Sequence, residues 1–184
     1  MGNIKENILK LKDMSELMVD LSYSAVFLHD TKICKEVEDM FNNFEKIEEE
    51  IYRALFKIRD ISDEERLYIM EITDRIKGIA DNAKELSRVS KNKKQPDIIQ
   101  DIFSNAEKRV IVEKVPKTSI YVKKTIGELK IRTLTRGTIV GIKRNDNWIF
   151  NINKDTTLDA GDEIVLVGSA HTEKLIRDAI NNKI

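Results

Sequence analysis

The sequence predicts an α+β protein, with an N-terminal antiparallel three- to four-helix bundle followed by a small β/α domain. Three observations carry this. Apolar residues recur three and four apart over roughly the first half, and the period falls to two, with β-branched runs, after about residue 110. Only Gly2 and Gly78 fall in the first 111 residues, whereas Gly127, Gly137, Gly141, Gly161 and Gly168 crowd the remainder, where turns must be tight. The polar breaks between the helical stretches are short, which leaves successive helices no packing partner but each other.

The first helix is read from Ile4, Ile8, Leu11, Met14, Met18, Leu21, Ala25 and Leu28. After a break near Asp30 and Thr31 the second carries Ile33, Val37, Met40, Phe44, Ile47, Ile51, Leu55 and Ile58. Ser62 and Glu65 have capping-box spacing, and behind them Ile69, Ile72, Ile76, Ile79, Ala83 and Leu86 define the third. Polar residues 91–95 form a connector, and Pro96 suits the first position of a short fourth helix with Ile98, Ile99, Ile102 and Phe103. Strands are expected at Val110–Val115, Thr138–Ile142, Trp148–Ile152 and Ile164–Val167, with Asn145-Asp146-Asn147 as a hairpin turn. Thr125 with Glu128 caps a short helix, and Thr172 opens a last one bearing Leu175, Ile176, Ala179 and Ile180. The domains this implies are 1–95 for the bundle, 96–111 for the connector and 112–184 for the β/α domain.

Composition narrows the function. A hydrophobic content of 41% supports a real core, and the single Cys34 excludes an intrachain disulfide framework. A reducing, cytoplasmic setting is expected, with no membrane-spanning run and no signal peptide. Thirty-two basic and 32 acidic residues cancel, so no nucleic-acid partner is expected. The halves differ, at −4 for residues 1–111 and +4 for 112–184, which favours the second part for an anionic ligand.

No catalytic constellation assembles, and the chain is not expected to be an enzyme. His29 and His171 each lack a neighbouring base or metal partner in the sequence, and Cys34 on the second helix reads as buried filler. The strand, Gly-x-Gly-x-x-Gly and helix succession of a dinucleotide site is missing. Glu45 and Glu49 share a helix face, as metal-binding carboxylates do, but acidic residues on long helices are more often a solvated face of salt pairs. Trp148, flanked by Ile149 and Phe150, closes a core or lines an interface.

Four segments in order carry a family pattern: Ser119–Tyr121, Lys124–Leu129, Gly137–Arg144 and Leu158–Gly168. They resemble the TrkA C-terminal family, also called RCK-C. The most specific pieces are the Leu-x-x-Gly-Asp turn of Leu158–Asp162 and the Ile-x-Arg of Ile142–Arg144; the proline such domains carry soon after the hairpin is missing from Ile149–Asn153. Leu17–Ala25 and Ile79–Ala83 resemble PhoU-like bundles, some of which are fused to such a domain. The acidic pairs through which PhoU proteins bind metal correspond here to Phe41 with Glu45 and Lys77 with Asp81, so metal binding is not carried over.

The resemblance implies a dimeric regulatory subunit of a potassium or other cation transport system. It would be peripheral to the inner face of the membrane through a channel or transporter, and would sense a small ligand such as cyclic di-AMP or another nucleotide. The matching ligand positions are Ile139, Val140, Ile142 and Arg144, with Asn145 and Trp148 near the hairpin. Arg144 has the reach to hold a phosphate bidentately; its alternative role is a structural salt bridge at a strand end. Two other readings stand beside this one: an adaptor in phosphate-uptake regulation, and a metal-binding enzyme of the bundle.

Overall fold

The computed structural model describes residues 2–92 and 96–182, so positions 93–95 of the polar stretch before Pro96 lie outside the described residues. The chain divides into two compact units, Met1–Lys93 and Lys94–Ile184.

The first unit holds three long helices, α1 (Gly2–Leu28), α2 (Thr31–Lys57) and α3 (Asp63–Arg88), followed by a single 3-10 turn at Val89–Lys91. Local chemistry sets each boundary. His29 takes a left-handed φ of 50° to end α1, and the Asp30 side chain accepts from the Lys32 amide to start α2. The expected Ser62–Glu65 capping box is formed in both directions at the head of α3. From the first turn of α3, the Arg66 guanidinium donates to the Leu55 and Ile58 carbonyls at the end of α2, satisfying acceptors that the helix leaves open.

The core draws Leu11, Met18, Leu21 and Ala25 from α1 and Ile33, Val37, Phe44, Ile51 and Leu55 from α2, and Cys34 is buried among them. Helix α3 departs from expectation. It buries Thr73, Ala80, Ala83 and Ser87, while Ile79 is 49% exposed and Ile69, Ile72, Ile76 and Leu86 are half-buried along the flank. Small side chains on the buried line let α3 approach its neighbours closely, which displaces the large ones to the margin of the contact. On α2, Phe41 is buried where Met40 was expected, a shift of one position around the helix.

The second unit opens with α4 (Asp97–Asn105), whose N-cap is Pro96 rather than its first residue. Then follow β1 (Arg109–Lys114), α5 (Ile126–Leu129), α6 (Ile131–Thr135), β2 (Thr138–Arg144), β3 (Asn147–Ile149), β4 (Glu163–Gly168) and α7 (Ala170–Ile180). The sheet order is β1-β4-β2-β3 and every pair is antiparallel. Ile111, Ile142, Ile164 and Leu166 from the sheet pack with Ile176, Ala179 and Ile180 of α7 and with Val115, Tyr121, Ile131 and Leu158 from the connections.

Several element ends shift by a residue or two from the sequence reading, and three differences matter for the second unit. β3 stops at Ile149 instead of Ile152, because it is an edge strand paired only with β2 and the chain folds away as Phe150 stacks on Trp148. A second short helix, α6, follows α5 across Lys130, which adopts a left-handed φ of 47°. Helix α7 begins two residues before Thr172: Ser169 is its N-cap, and the Thr172 hydroxyl donates to the Thr135 carbonyl at 2.8 Å, tying α7 to α6.

Candidate ligand site

The β2–β3 hairpin sets the geometry around the sequence-predicted ligand positions. Asn145 and Asp146 have φ of 49° and 64°, and Arg144 pairs with Asn147, so the turn is the two-residue type I′ form that suits a tight hairpin. Within β2, Ile139 pairs with Leu166 and Gly141 with Val165, which makes Val140 the extra residue of a β-bulge. Val140 and Ile142 are both buried, Ile142 in the main core. Trp148 stacks on Phe150 at 5.4 Å between ring centroids, over Gly141; a Cβ at Gly141 would lie 2.9 Å from the Trp148 ring, so that seat exists only for glycine. Asn145 is exposed at the turn.

Arg144 is committed to its own domain. Its Nε and Nη2 donate to the two carboxylate oxygens of Asp162 at 2.8 and 2.7 Å, Nη1 lies 3.0 Å from Asp159, and Nη2 also donates to the Thr157 carbonyl. Asp162 is 1% exposed and accepts in addition from the Asp159 amide at 2.7 Å. Gly161 precedes it with a φ of 90°. The bond from Lys123, with the nearby Arg144 charge, holds the Asp159 carboxyl below the usual carboxylate range. The two most specific pieces of the family pattern are therefore one bidentate ion pair that ties the hairpin to the turn before β4.

Ile139 alone of the six predicted positions lines the nearby cleft. This space of about 400 Å³ has an isoleucine floor of Ile126, Ile131, Ile139 and Ile152, with Gly127, Gly137, Thr138, Asn153, Arg132 and Lys154 around it. Gly127 lets the chain close here: its amide donates to the Lys154 carbonyl at 2.8 Å, and a Cβ would meet that oxygen at 2.9 Å. The side chains of Arg132 and Lys154 are exposed and have no hydrogen-bonded or ion-paired partner among the described residues. The sequence reading missed both. For Arg132 a signal was available, since Glu128 is the only acid in the stretch Lys123–Arg136 and its carboxylate is engaged by Thr125; Lys154, next to Asp155, carried none.

The first unit has a comparable groove lined by Phe41, Glu45, Asp74, Lys77, Gly78, Asp81 and Lys84, which brings together all four positions of the altered acidic pairs. Lys77 bonds the buried Glu48 at 2.6 Å, and Lys84 bonds Asp81 at 2.7 Å with its ammonium 3.5 Å from the centre of the Phe41 ring. Two ammonium groups stand among these carboxylates, so the groove does not fit a divalent cation, and no group of three His, Cys, Asp or Glu among the described residues is placed to hold a metal. Glu49 and Glu71 are paired with Arg53 and Arg75 one turn on.

Comparison with known families decides the architecture. The TrkA-C domain model matches residues 110–181 and the PhoU domain model residues 8–89. A PhoU-like helical region is fused to a TrkA-C domain. The TrkA-C domain thus holds the cleft, and the PhoU-like region holds the lysine-filled groove. Among solved structures, the RCK_C domain dimer of S. agalactiae BusR in complex with c-di-AMP is 25% identical, covering 41% of this chain and 94% of that one, with a TM-score of 0.39. S. agalactiae BusR in complex with its busA-promotor DNA is 20% identical over 66% of this chain and 68% of that one, TM-score 0.39. The GsuK RCK domain is 20% identical over 61% of this chain and 25% of that one, TM-score 0.37. No curated protein matches the sequence. No described helix is long and apolar enough to cross a membrane.

Proposed function

We propose that this chain is a non-catalytic regulator of a potassium or other cation transport system, in which the TrkA-C domain senses a small anionic ligand and the PhoU-like bundle docks to a partner. The supporting observation is the cleft itself. An isoleucine floor offers a planar group an apolar seat, and Arg132 and Lys154 offer charge that no described residue of the domain uses. That combination suits a nucleotide, with the base over Ile139 and the phosphates toward the two cations. Arg144 is given a positioning role, holding the hairpin rather than the ligand.

Titration calorimetry of the full chain with cyclic di-AMP, ATP, ADP and NAD tests this reading. Binding of one of them is expected, weakened about 10-fold or more by Arg132→Ala or Lys154→Ala, since each removes a charged contact. No binding by the properly folded protein would refute it. The adaptor reading for phosphate uptake is supported by the PhoU match over residues 8–89. Recovery of a phosphate transporter or its sensor kinase in a pull-down, in place of a cation transporter, would favour that reading.

A further inference from the structure

We propose that the α2–α3 face of the bundle receives a basic amphipathic helix of the partner protein, with an apolar anchor at one end of the face and cations along the rest; this rests on the reading that the bundle is the docking part. Bonds between the two helices fix their register. Tyr52 donates to Asp74, Lys77 to Glu48 and Arg88 to Glu38, so α2 and α3 run antiparallel with these pairs level. Phe56, one turn beyond Tyr52, therefore lies level with Met70, and Leu67 is seven residues from Asp74 on the same side of α3. This end of the face is apolar and open: Phe56 is 75% and Leu67 65% exposed, and Met70 is half-buried.

From there the face runs into the lysine-filled groove, a space of about 420 Å³ with Glu45 and Asp74 in its lining. Both carboxylates are exposed and neither is answered by a cation. Glu45 has no hydrogen-bonded or ion-paired partner among the described residues, and Asp74 accepts there only from the neutral Tyr52 hydroxyl. Lys77 and Lys84 are bonded to Glu48 and Asp81 instead. The helix surface at Gly78 is bare, since a Cβ added there would meet nothing within 4 Å. Glu45 is seven residues from Tyr52, so the levels of Leu67, Asp74 and Glu45 succeed one another at steps of about 10 Å. A helix with an apolar residue and cations seven and fourteen residues on meets all three with one face. Cytosolic segments of membrane transport proteins are rich in Lys and Arg, which is the chemistry that answers these carboxylates. A second copy carries the same groups, so pairing this face with itself sets acid against acid or against the apolar end, and an anionic membrane surface is repelled.

The test uses the full chain and a fluorescent synthetic helix carrying leucine with lysines seven and fourteen residues on, its glutamate counterpart being the control. Fluorescence anisotropy should show the lysine helix binding and the glutamate helix not. Phe56→Ser, Leu67→Ser and Glu45→Lys, all at exposed positions that leave the bundle folded, should each weaken binding about 10-fold or more, whereas Glu6→Lys, the same charge change on α1, should not. A helix with its far lysine changed to glutamate should bind Glu45→Lys more tightly than the wild type. Equal weakening by Glu45→Lys and Glu6→Lys would be bulk attraction and would overturn the proposal. So would a Phe56→Ser protein that changes its sedimentation but not its affinity for the helix, since a second copy would then occupy the face. A pull-down from the native membrane separates this inference from the docking reading. A cation transporter recovered equally by wild type and Glu45→Lys would overturn the face alone; one recovered by neither would refute the docking reading with it.

Discussion

The groove of the PhoU-like bundle and the cleft of the TrkA-C domain both present two cations, yet the groups differ in what they are free to do. In the bundle, Lys77 and Lys84 are spent on Glu48, Asp81 and the Phe41 ring. In the cleft, Arg132 and Lys154 face solvent unspent, because the domain's structural ion pair is made elsewhere, by Arg144 and Asp162. Family position alone does not show where a ligand binds. An arginine inside a motif can be fully consumed by the fold, while cations outside it carry the uncommitted charge.

Replacing Arg144 gives the largest effect. Arg144→Ala leaves Asp162 ionised and almost fully buried, and should destabilise the TrkA-C domain by about 3 kcal/mol, toward the low end for broken buried pairs because the guanidinium is partly exposed. Urea unfolding followed by the single Trp148 reports it directly. Arg132→Ala should leave the same transition within about 0.5 kcal/mol, as an exposed residue with no partner among the described residues should. A stable Arg144→Ala protein that has lost only ligand binding would reverse the roles assigned to the two arginines.

Next is the bundle. Lys77→Met removes the ammonium from Glu48 and should cost about 1–2 kcal/mol, read by helical circular dichroism during urea unfolding. Added Mn²⁺ should not move the wild-type midpoint. A metal-dependent rise would show that the lysines yield to a cation, and the contrast between groove and cleft would fail.

The smallest effects are those of pH, because the groups are partly in water. The bond that Lys77 donates to Glu48 raises the Lys77 pKa, so its contribution is complete below the usual lysine range and is lost as pH rises through the raised value. Asp159 is shifted down, so its contribution is present above the usual aspartate range and is lost as pH falls through the depressed value. Unfolding midpoints across pH should therefore fall in strong alkali for the bundle and in acid for the TrkA-C domain. Asp159→Asn should flatten the acid limb; an unchanged acid limb would show that other carboxylates set it.

The identity of every strand and α-helix but the short α6, the Ser62 and Thr125 capping boxes, the left-handed turn at Gly161 and the order of the two regions were legible from sequence. Each depends on residues within a few positions of one another, through side-chain period or a bond back to the local backbone. Tertiary structure alone decided which face of α3 is buried, since close approach selects Ala80, Ala83 and Ser87 over the larger isoleucines. It also decided that Arg144 belongs to Asp162, a partner 18 residues away, and that Arg132, Ile139 and Lys154 share one cleft. Charge and type are written in the chain, but whether a charge is spent depends on what the fold brings within 3 Å of it.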